Sequence, residues 1–139
     1  MSGVLKIRIK LCSFAALGPG KADLLESIAR TGSITAAAKD QGMSYRRAWM
    51  LVDEMNRAFK DPVVSASFGG AKGGGAQLTP SGKSILDLFR QVEKKAEAAI
   101  ESELEAIERL VAENPRPARR DGCTGRSKRG HNKQVRTET

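Results

Sequence analysis

The chain has 139 residues, which is enough for one domain with a hydrophobic core. No apolar run approaches the roughly 20 residues of a membrane span, and the first residues lack the long apolar stretch of a signal peptide. We therefore expect a cytoplasmic protein that does not associate with membranes. Two cysteines and one histidine predict neither a disulfide framework nor a metal site. No catalytic set such as Ser/His/Asp or Cys/His stands out, so we expect no enzyme and no cofactor.

The formal net charge of +8 is distributed unevenly along the chain. Residues 1–80 carry 11 Lys and Arg against 6 Asp and Glu, and residues 115–139 carry 8 against 2. Residues 81–114 are acidic, with 5 Lys and Arg against 8 Asp and Glu. A polyanionic partner is therefore expected for the first and last segments but not for the middle one.

The first predicted element is a half-buried strand from Leu5 to Leu11. Its sequence, LKIRIKL, alternates strictly between apolar and basic residues. The basic residues Lys6, Arg8 and Lys10 either face a polyanion or form a solvated face, and the second interpretation is the more common one for such a pattern.

Three helices are predicted next. GPGKADLLESIARTG has apolar residues at helical spacing and ends at Gly32. SITAAAKDQG offers Ser33 or Thr35 as its N-cap and ends at Gly42. MSYRRAWMLVDEMNRAF begins after Ser44 and carries an apolar stripe at spacings of three and four, namely Ala48, Leu51, Val52, Met55 and Phe59. Two short helices across a tight glycine turn predict a helix-turn-helix, whose second helix begins with Arg46 and Arg47.

The segment GGAKGGGAQLTPSGKS invites comparison with a phosphate-binding loop. Such a loop has a glycine five residues before its Gly-Lys pair, and here that position is Gln77. The better interpretation is a hairpin of two strands, Val63–Phe68 and Ala76–Thr79, followed by a helix that starts at Pro80 or Ser81. After a helix-turn-helix, this hairpin is a wing, with Lys72 at its glycine-rich tip.

Residues 81–114 predict one long helix of about 50 Å, too long to be covered by one small domain. Its apolar stripe favours pairing with a second copy, although an internal helical hairpin is the competing explanation. The predicted dimer interface comprises Ile85, Phe89, Val92, Ala96, Ile100, Leu104 and Ile107. After Pro115 and Pro117 the chain has almost no apolar residues and is predicted to be disordered.

The predicted fold is mainly α with a small β-sheet, a winged helix-turn-helix with a long C-terminal dimerisation helix. The predicted domains are the winged helix-turn-helix (1–80), the dimerisation helix (81–114) and a basic tail (115–139). GSITAAAKDQGMSYRRAW, GGAKGGGAQLTPSG and the preceding LGPGK resemble the N-terminal DNA-binding domain of the molybdate-responsive ModE family of bacterial transcriptional regulators, a LysR-like winged helix. The resemblance covers roughly residues 5–110. It implies a homodimer that binds operator DNA.

In full-length members of that family, small β-barrel domains that hold molybdate or tungstate follow the helical segment. The 25 residues after residue 114 are too polar and too few for such a barrel. We therefore expect a stand-alone DNA-binding domain that does not sense molybdate or tungstate.

The predicted partner is double-stranded DNA, which also implies association with the nucleoid. Basic residues next to the positive end of a helix dipole favour an anionic partner, which points to Arg46 and Arg47. Trp49 is predicted to be a core or interface residue. The predicted DNA contacts are Ser33, Thr35, Ser44, Tyr45, Arg46, Arg47, Lys72, Gly73 and Gly74. A non-specific architectural DNA-binding protein and a protein-interaction scaffold remain as alternatives.

Overall fold

The computed structural model describes residues 3–67 and 75–119, and within these ranges it contains five helices and two antiparallel two-stranded sheets. In chain order the elements are β1 (Ile9–Lys10), β2 (Ala16–Leu17), α1 (Pro19–Thr31), α2 (Ile34–Asp40), α3 (Tyr45–Ala58), β3 (Val64–Ser67), β4 (Gly75–Leu78), α4 (Pro80–Ala99) and α5 (Glu101–Glu108). Residues up to Arg109 belong to one compact unit. The fold is a winged helix-turn-helix and is mainly α, as predicted.

The helices before the wing begin and end where local sequence chemistry predicts. Pro19 is the first residue of α1, and Gly32 ends that helix with a φ of 69°, in the left-handed region that favours glycine. Ser33 caps α2, because its hydroxyl oxygen accepts a hydrogen bond from the backbone N–H of Ala36. Gly42, with a φ of 64°, then turns the chain towards α3.

The core lies where α1, α2, α3, the wing strands and α4 meet. Its largest fully buried side chains are Phe89, Leu24, Leu25, Ile28, Met55, Val52 and Val63. The predicted apolar stripe of α3 is confirmed: Ala48, Val52 and Met55 are buried, and Leu51 and Phe59 are partly buried against the same cluster.

A polar network joins the end of α2 to α1. Ser27 is a buried polar residue, and its hydroxyl donates to Oδ2 of Asp40 at 2.6 Å while accepting from Nε2 of Gln41 at 2.6 Å. Arg30 pairs with the same carboxylate. The hydrogen bond from Ser27, supported by Arg30, lowers the pKa of Asp40 below its usual value of 3.8. Every polar atom of Ser27 is thus satisfied at little cost to the core.

The two strands that we call the wing hairpin (residues 64–78) pair in register from Val64 opposite Leu78 to Ser67 opposite Gly75. The predicted hairpin is therefore confirmed: its strands begin at Val64 and Gly75 and the second ends at Leu78, each one residue from the prediction, whereas the predicted end at Phe68 lies outside the described residues. Its tip, residues 68–74, lies outside the described residues, and so do the predicted contacts Lys72, Gly73 and Gly74.

Buried Val63, immediately before β3, joins the wing hairpin to the helices on either side. The side-chain oxygen of Asn56 in α3 accepts from the backbone N–H of Val63 at 2.8 Å and of Val64 at 3.2 Å. The carbonyl oxygen of Val63 accepts from the backbone N–H of Thr79 at 3.0 Å. Because α4 starts at Pro80, the backbone of Val63 fixes α3, the wing hairpin and α4 relative to one another.

The predicted single helix over 81–114 is not what the structure contains. α4 ends at Ala99, Ile100 departs from helical geometry with a φ of −105° and a ψ of 8°, and α5 ends at Glu108. The first half of α4 packs on α1 and the wing, whereas no residue of α5 is buried. Without burial, helix propensity alone is a weak stabiliser, which accounts for the early end of the helix.

Arg90 links α4 to α1. Its guanidinium lies 2.7 Å from Asp23 and 2.8 Å from Glu26, both in α1, and 2.8 Å from Glu93 in α4. These hydrogen bonds, that to Glu26 foremost, raise the pKa of Arg90. The planar guanidinium is suited to such a fork of contacts, so Arg90 sets the rotation of α4 on α1.

The N-terminal ribbon (residues 5–17) contains β1 and β2. Its predicted alternation is confirmed for residues 5–10, because the apolar side chains Leu5, Ile7 and Ile9 are half-buried and the intervening cations are exposed, whereas Leu11 is 36% exposed. The regular strand is shorter than predicted, since β2 is only two residues long and pairs Ile9 with Leu17 and Lys10 with Ala16.

We expect Gly82→Ala to destabilise the fold. A Cβ atom at Gly82 would lie 2.0 Å from the carbonyl oxygen of Val63, a backbone atom that cannot move without disturbing the wing. Urea unfolding should show a loss of about 1 to 3 kcal/mol or more.

Gly20→Ala in α1 is the matched control. No atom lies within 4 Å of the new Cβ, and the helix should gain about 0.5 to 1 kcal/mol. Equal stability of Gly82→Ala and wild type would show that the two backbones are not held in close contact.

We also expect Asp40 to contribute to acid sensitivity. Because the pKa of Asp40 is lowered by folding, its stabilising effect is present above the unfolded-state pKa and is lost as the pH falls through the lower folded-state value. Asp40→Asn should therefore be less stable than wild type at pH 7, and the difference should shrink as the pH falls below 3.8. Thermal unfolding across pH 2 to 7 measures this, and a difference independent of pH would contradict it.

Candidate nucleic-acid interface

The exposed surface of α3 has three sides. Tyr45 and Trp49 lie towards the wing hairpin. Arg46 and Met50, four residues apart, point outwards, and the Met50 side chain is 51% exposed. The third side contains Arg47, which faces the N-terminal ribbon together with Leu51 and Glu54.

The groove between α2, α3 and the wing hairpin has a volume of about 240 Å³. Its walls include Ser33 and Thr35 at the start of α2 and Tyr45 at the start of α3. The Tyr45 ring stands edge-on to Trp49, with 6.2 Å between ring centroids. The fold therefore brings these predicted contact residues together at one opening, next to the base of the wing. As predicted, Trp49 packs partly buried against the core.

Two of the predicted contact residues also have a structural task. Ser33 caps α2, and Ser44 caps α3 by accepting a hydrogen bond from the backbone N–H of Arg47 at 3.1 Å. Each hydroxyl oxygen is thus engaged as an acceptor, which leaves its proton free to be donated to an anion. Thr35 is exposed.

Arg46 and Arg47 are exposed in the first turn of α3, which contains no acidic residue. Within residues 3–67 and 75–119, neither guanidinium lies within 4.0 Å of a carboxylate. The unpaired N–H groups at a helix start carry a partial positive charge of their own. Two cations at this end therefore create a strongly electropositive surface that fits phosphate or a guanine edge.

A second groove, of about 360 Å³, lies on the other side of α3. Arg47 and Arg8 of the N-terminal ribbon both line it, together with the ion pair between Lys21 and Glu54 at 3.1 Å. The alternation of LKIRIKL placed Arg8 on an exposed face, but a pattern within one strand contains no information about which helix that face adjoins.

The predicted dimer interface is divided by the structure. Phe89 is 2% exposed in the core of its own chain, so its assignment to the interface is wrong. Ile85 is half-buried against the same core, and Ala96, Ile100 and Leu104 are half-buried. Val92 and Ile107 are 39% and 60% exposed.

The error at Phe89 arose because α4 has two apolar edges. One contains Leu86 and Phe89 and faces inwards, whereas the other contains Ile85, Leu88 and Val92. The predicted interface combined residues from both edges, one facing inwards and the other outwards. It omitted Leu88, which is 59% exposed.

No group of three or more His, Cys, Asp or Glu side chains among the described residues could hold a metal ion. None of the described helices is both long and apolar enough to cross a membrane.

Several known proteins resemble part of this chain. Three relatives have similar N-terminal regions. The molybdenum-pterin-binding protein MopB of Rhodobacter capsulatus is 46% identical over 79 residues, which are 57% of this chain and 29% of that protein. The molybdenum transport protein ModE of Azotobacter vinelandii is 41% identical over 86 residues, 62% of this chain and 32% of that protein. The DNA-binding transcriptional dual regulator ModE of Escherichia coli (strain K12) is 37% identical over 99 residues, 69% of this chain and 38% of that protein.

The chain thus spans about a third of the length of these relatives. A solved MarR family transcription regulator superposes on this chain with a TM-score of 0.49 at 19% identity, over 68% of this chain and 66% of that one. Residues 21–83, from α1 to the first turn of α4, match the bacterial regulatory helix-turn-helix protein family of LysR type. Over these residues the chain is therefore similar to the helix-turn-helix domain of the bacterial LysR family.

Proposed function

We propose that this chain is a DNA-binding transcriptional regulator, which binds a two-fold related operator as a homodimer through the start of α3 and the wing hairpin. The observation that carries the proposal is the exposed pair Arg46 and Arg47 in the first turn of α3, without a carboxylate partner among the described residues. In a helix-turn-helix, the N-terminal residues of the second helix are those that reach base edges in the major groove.

The two arginines have different surroundings, which implies different tasks. Arg46 points away from both neighbouring grooves, in line with exposed Met50, so it is the better candidate to reach a base edge. Arg47 lies at the side of α3, where a phosphate group of the flanking backbone would approach. Ser44 fixes both by holding the first turn in helical geometry.

A homodimer is supported by the outward edge of α4. Leu88 and Val92 are 59% and 39% exposed and lie one turn apart, next to half-buried Ile85. An apolar helix edge of this kind gains stability when it is buried against an equivalent copy. A two-fold dimer would place two α3 helices in successive major grooves, about 34 to 36 Å apart.

The experiment that tests the proposal is selection of genomic DNA fragments with the purified protein at physiological salt. Enrichment of a two-fold related site supports the operator-binding regulator. Binding without enrichment would instead favour a non-specific architectural protein, and no binding would favour an interaction scaffold. The prediction that molybdate and tungstate are not sensed stays a prediction, and adding molybdate to the titration tests it.

We expect Arg46→Ala and Arg47→Ala each to weaken binding to the selected site by about 1 to 3 kcal/mol. The Arg46 change should also reduce discrimination between bases, whereas the Arg47 change should weaken all sequences alike. Fluorescence anisotropy titrations on the selected site and on single-base variants measure both effects. Lys94→Ala, an exposed position on α4, is the control and should leave affinity unchanged. Unaltered affinity in both arginine variants would refute this placement of the interface.

We expect Leu88→Glu combined with Val92→Glu to separate the dimer. Burial of each aliphatic side chain contributes about 1.5 to 3 kcal/mol, so the dimer dissociation constant should rise by at least about 100-fold. Analytical ultracentrifugation measures this, and circular dichroism should show an intact fold. Gln91→Glu adds negative charge at an exposed position that is near both in sequence but lies to one side of the Leu88–Val92 edge, and it should leave the dimer intact. A wild-type chain that sediments as a monomer at micromolar concentration would rule out this interface.

A further inference from the structure

We propose that the N-terminal ribbon is a second DNA-contacting edge, which binds backbone phosphate groups through Lys6, Arg8 and Lys10 on the side of α3 opposite the wing hairpin. This inference rests on the proposed function, because it concerns the same DNA-binding surface. It replaces the interpretation of these cations as a merely solvated face.

The ribbon lies alongside α3: it shares a groove with the start of the helix and contacts the helix near its end. Near the helix start, Arg8 and Arg47 line the same groove of about 360 Å³. Nearer the helix end, the guanidinium of Arg57 lies 4.7 Å from the ring centroid of Phe14 in the turn of the ribbon. α3 is therefore flanked on one side by the wing hairpin, at Tyr45, and on the other by the ribbon.

Lys21 holds the ribbon in this position. Its ammonium group donates to the carbonyl oxygen of Ala16 in β2 at 2.7 Å and lies 3.1 Å from the carboxylate of Glu54 in α3. The Lys21 side chain is only 12% exposed, so these contacts are largely shielded from water. A ribbon that is already fixed on α3 loses little conformational freedom when it binds, which favours affinity.

The charges of the ribbon are available to an outside anion. Lys6, Arg8 and Lys10 are all exposed, and Arg8 and Lys10 line one further groove together. Alternate residues of an extended chain share a face at a spacing of about 6.6 to 6.8 Å. In the part of the chain that the structure describes, none of the three forms an ion pair within 4.0 Å.

The neighbouring carboxylate does not neutralise this surface, since Glu54 is already paired with Lys21. Arg47, which has no carboxylate within 4.0 Å among the described residues, adds a cation on the α3 side of the groove that Arg8 also lines. At a spacing of about 6.6 to 6.8 Å, the ribbon cations would meet about every second phosphate of a DNA strand, which carries one phosphate per 3.4 Å of helix axis. Contacts of this kind fix the orientation of the protein on DNA without reading sequence.

The test compares the salt dependence of DNA binding in three variants. Lys6→Gln/Arg8→Gln/Lys10→Gln removes the charges, and Lys6→Arg/Arg8→Lys/Lys10→Arg keeps them. Lys94→Gln/Lys95→Gln/Arg109→Gln removes the same number of charges from exposed positions on α4 and just after α5. Affinity for the selected site and for random DNA is measured at several salt concentrations, with circular dichroism as a check on folding.

We expect the charge-removing ribbon variant to lower the slope of log affinity against log salt by about 2 to 3, on both DNAs alike. The charge-keeping variant and the α4 variant should retain the wild-type slope. A ribbon variant with the wild-type slope would overturn the proposal, and so would an equal loss of slope in the charge-keeping variant.

The two proposals fail differently in this experiment. If wild type binds selected and random DNA equally while the ribbon variant loses slope, the operator-reading function fails and the ribbon contact stands. If wild type prefers its selected site and the ribbon variant is unchanged, the function stands and the ribbon contact fails. Absence of any DNA binding by wild type overturns both.

Discussion

The backbone of Val63 is the point on which the remaining arrangement depends. Its N–H donates to the side chain of Asn56 in α3, its carbonyl accepts from Thr79 before α4, and Gly82 of α4 packs directly against that carbonyl. A side chain at residue 82 would push α4 away and with it the strand β4 that α4 follows. The backbone of one buried residue thus determines how α3, the wing hairpin and α4 are oriented.

This constraint explains why the wing hairpin is anchored near the end of α3, whereas the start of α3 is exposed. Asn56 lies ten residues, or about 15 Å, from Arg46 along α3, so the wing is anchored near one end of the helix and the arginines project at the other. The backbone N–H of Ala76 in β4 also donates to the carbonyl of Gly32 at 2.9 Å, next to the Ser33 cap. The ends of α1 and α3 are therefore both fixed to the wing, and the groove at Tyr45 lies between these anchors.

Structural features that depend on neighbouring residues in the sequence could be predicted, whereas features that depend on contacts between distant residues could not. Ser33 and Ser44 as caps, Gly32 and Gly42 as turns, and the alternation of residues 5 to 10 follow from chemistry within a few residues. Gly82 was predicted to lie in the first turn of the helix after the wing, but the sequence could not show its close approach to a carbonyl 19 positions earlier.

The same limit applies to α4 and to the ribbon. Which apolar edge of α4 faces inwards depends on where α1 lies, so Phe89 could not be told from Val92 by spacing alone. Likewise, the charge pattern of LKIRIKL could not show that Arg8 and Arg47 line the same groove. In each case the sequence showed the periodicity of one element, whereas the burial and surroundings of its faces depended on the element packed against it.

The distribution of charge favours one orientation of a polyanion relative to the proposed interface. Arg90 pairs with the acidic groups between α1 and α4, whereas Glu101, Glu103 and Glu105 of α5 are exposed. The cations without a carboxylate partner in the described part of the chain include Arg46 and Arg47 at the start of α3 and Arg8 on the adjoining ribbon. A polyanion is therefore attracted to the start of α3 and repelled by α5, so that encounter already favours the orientation in which α3 meets the groove.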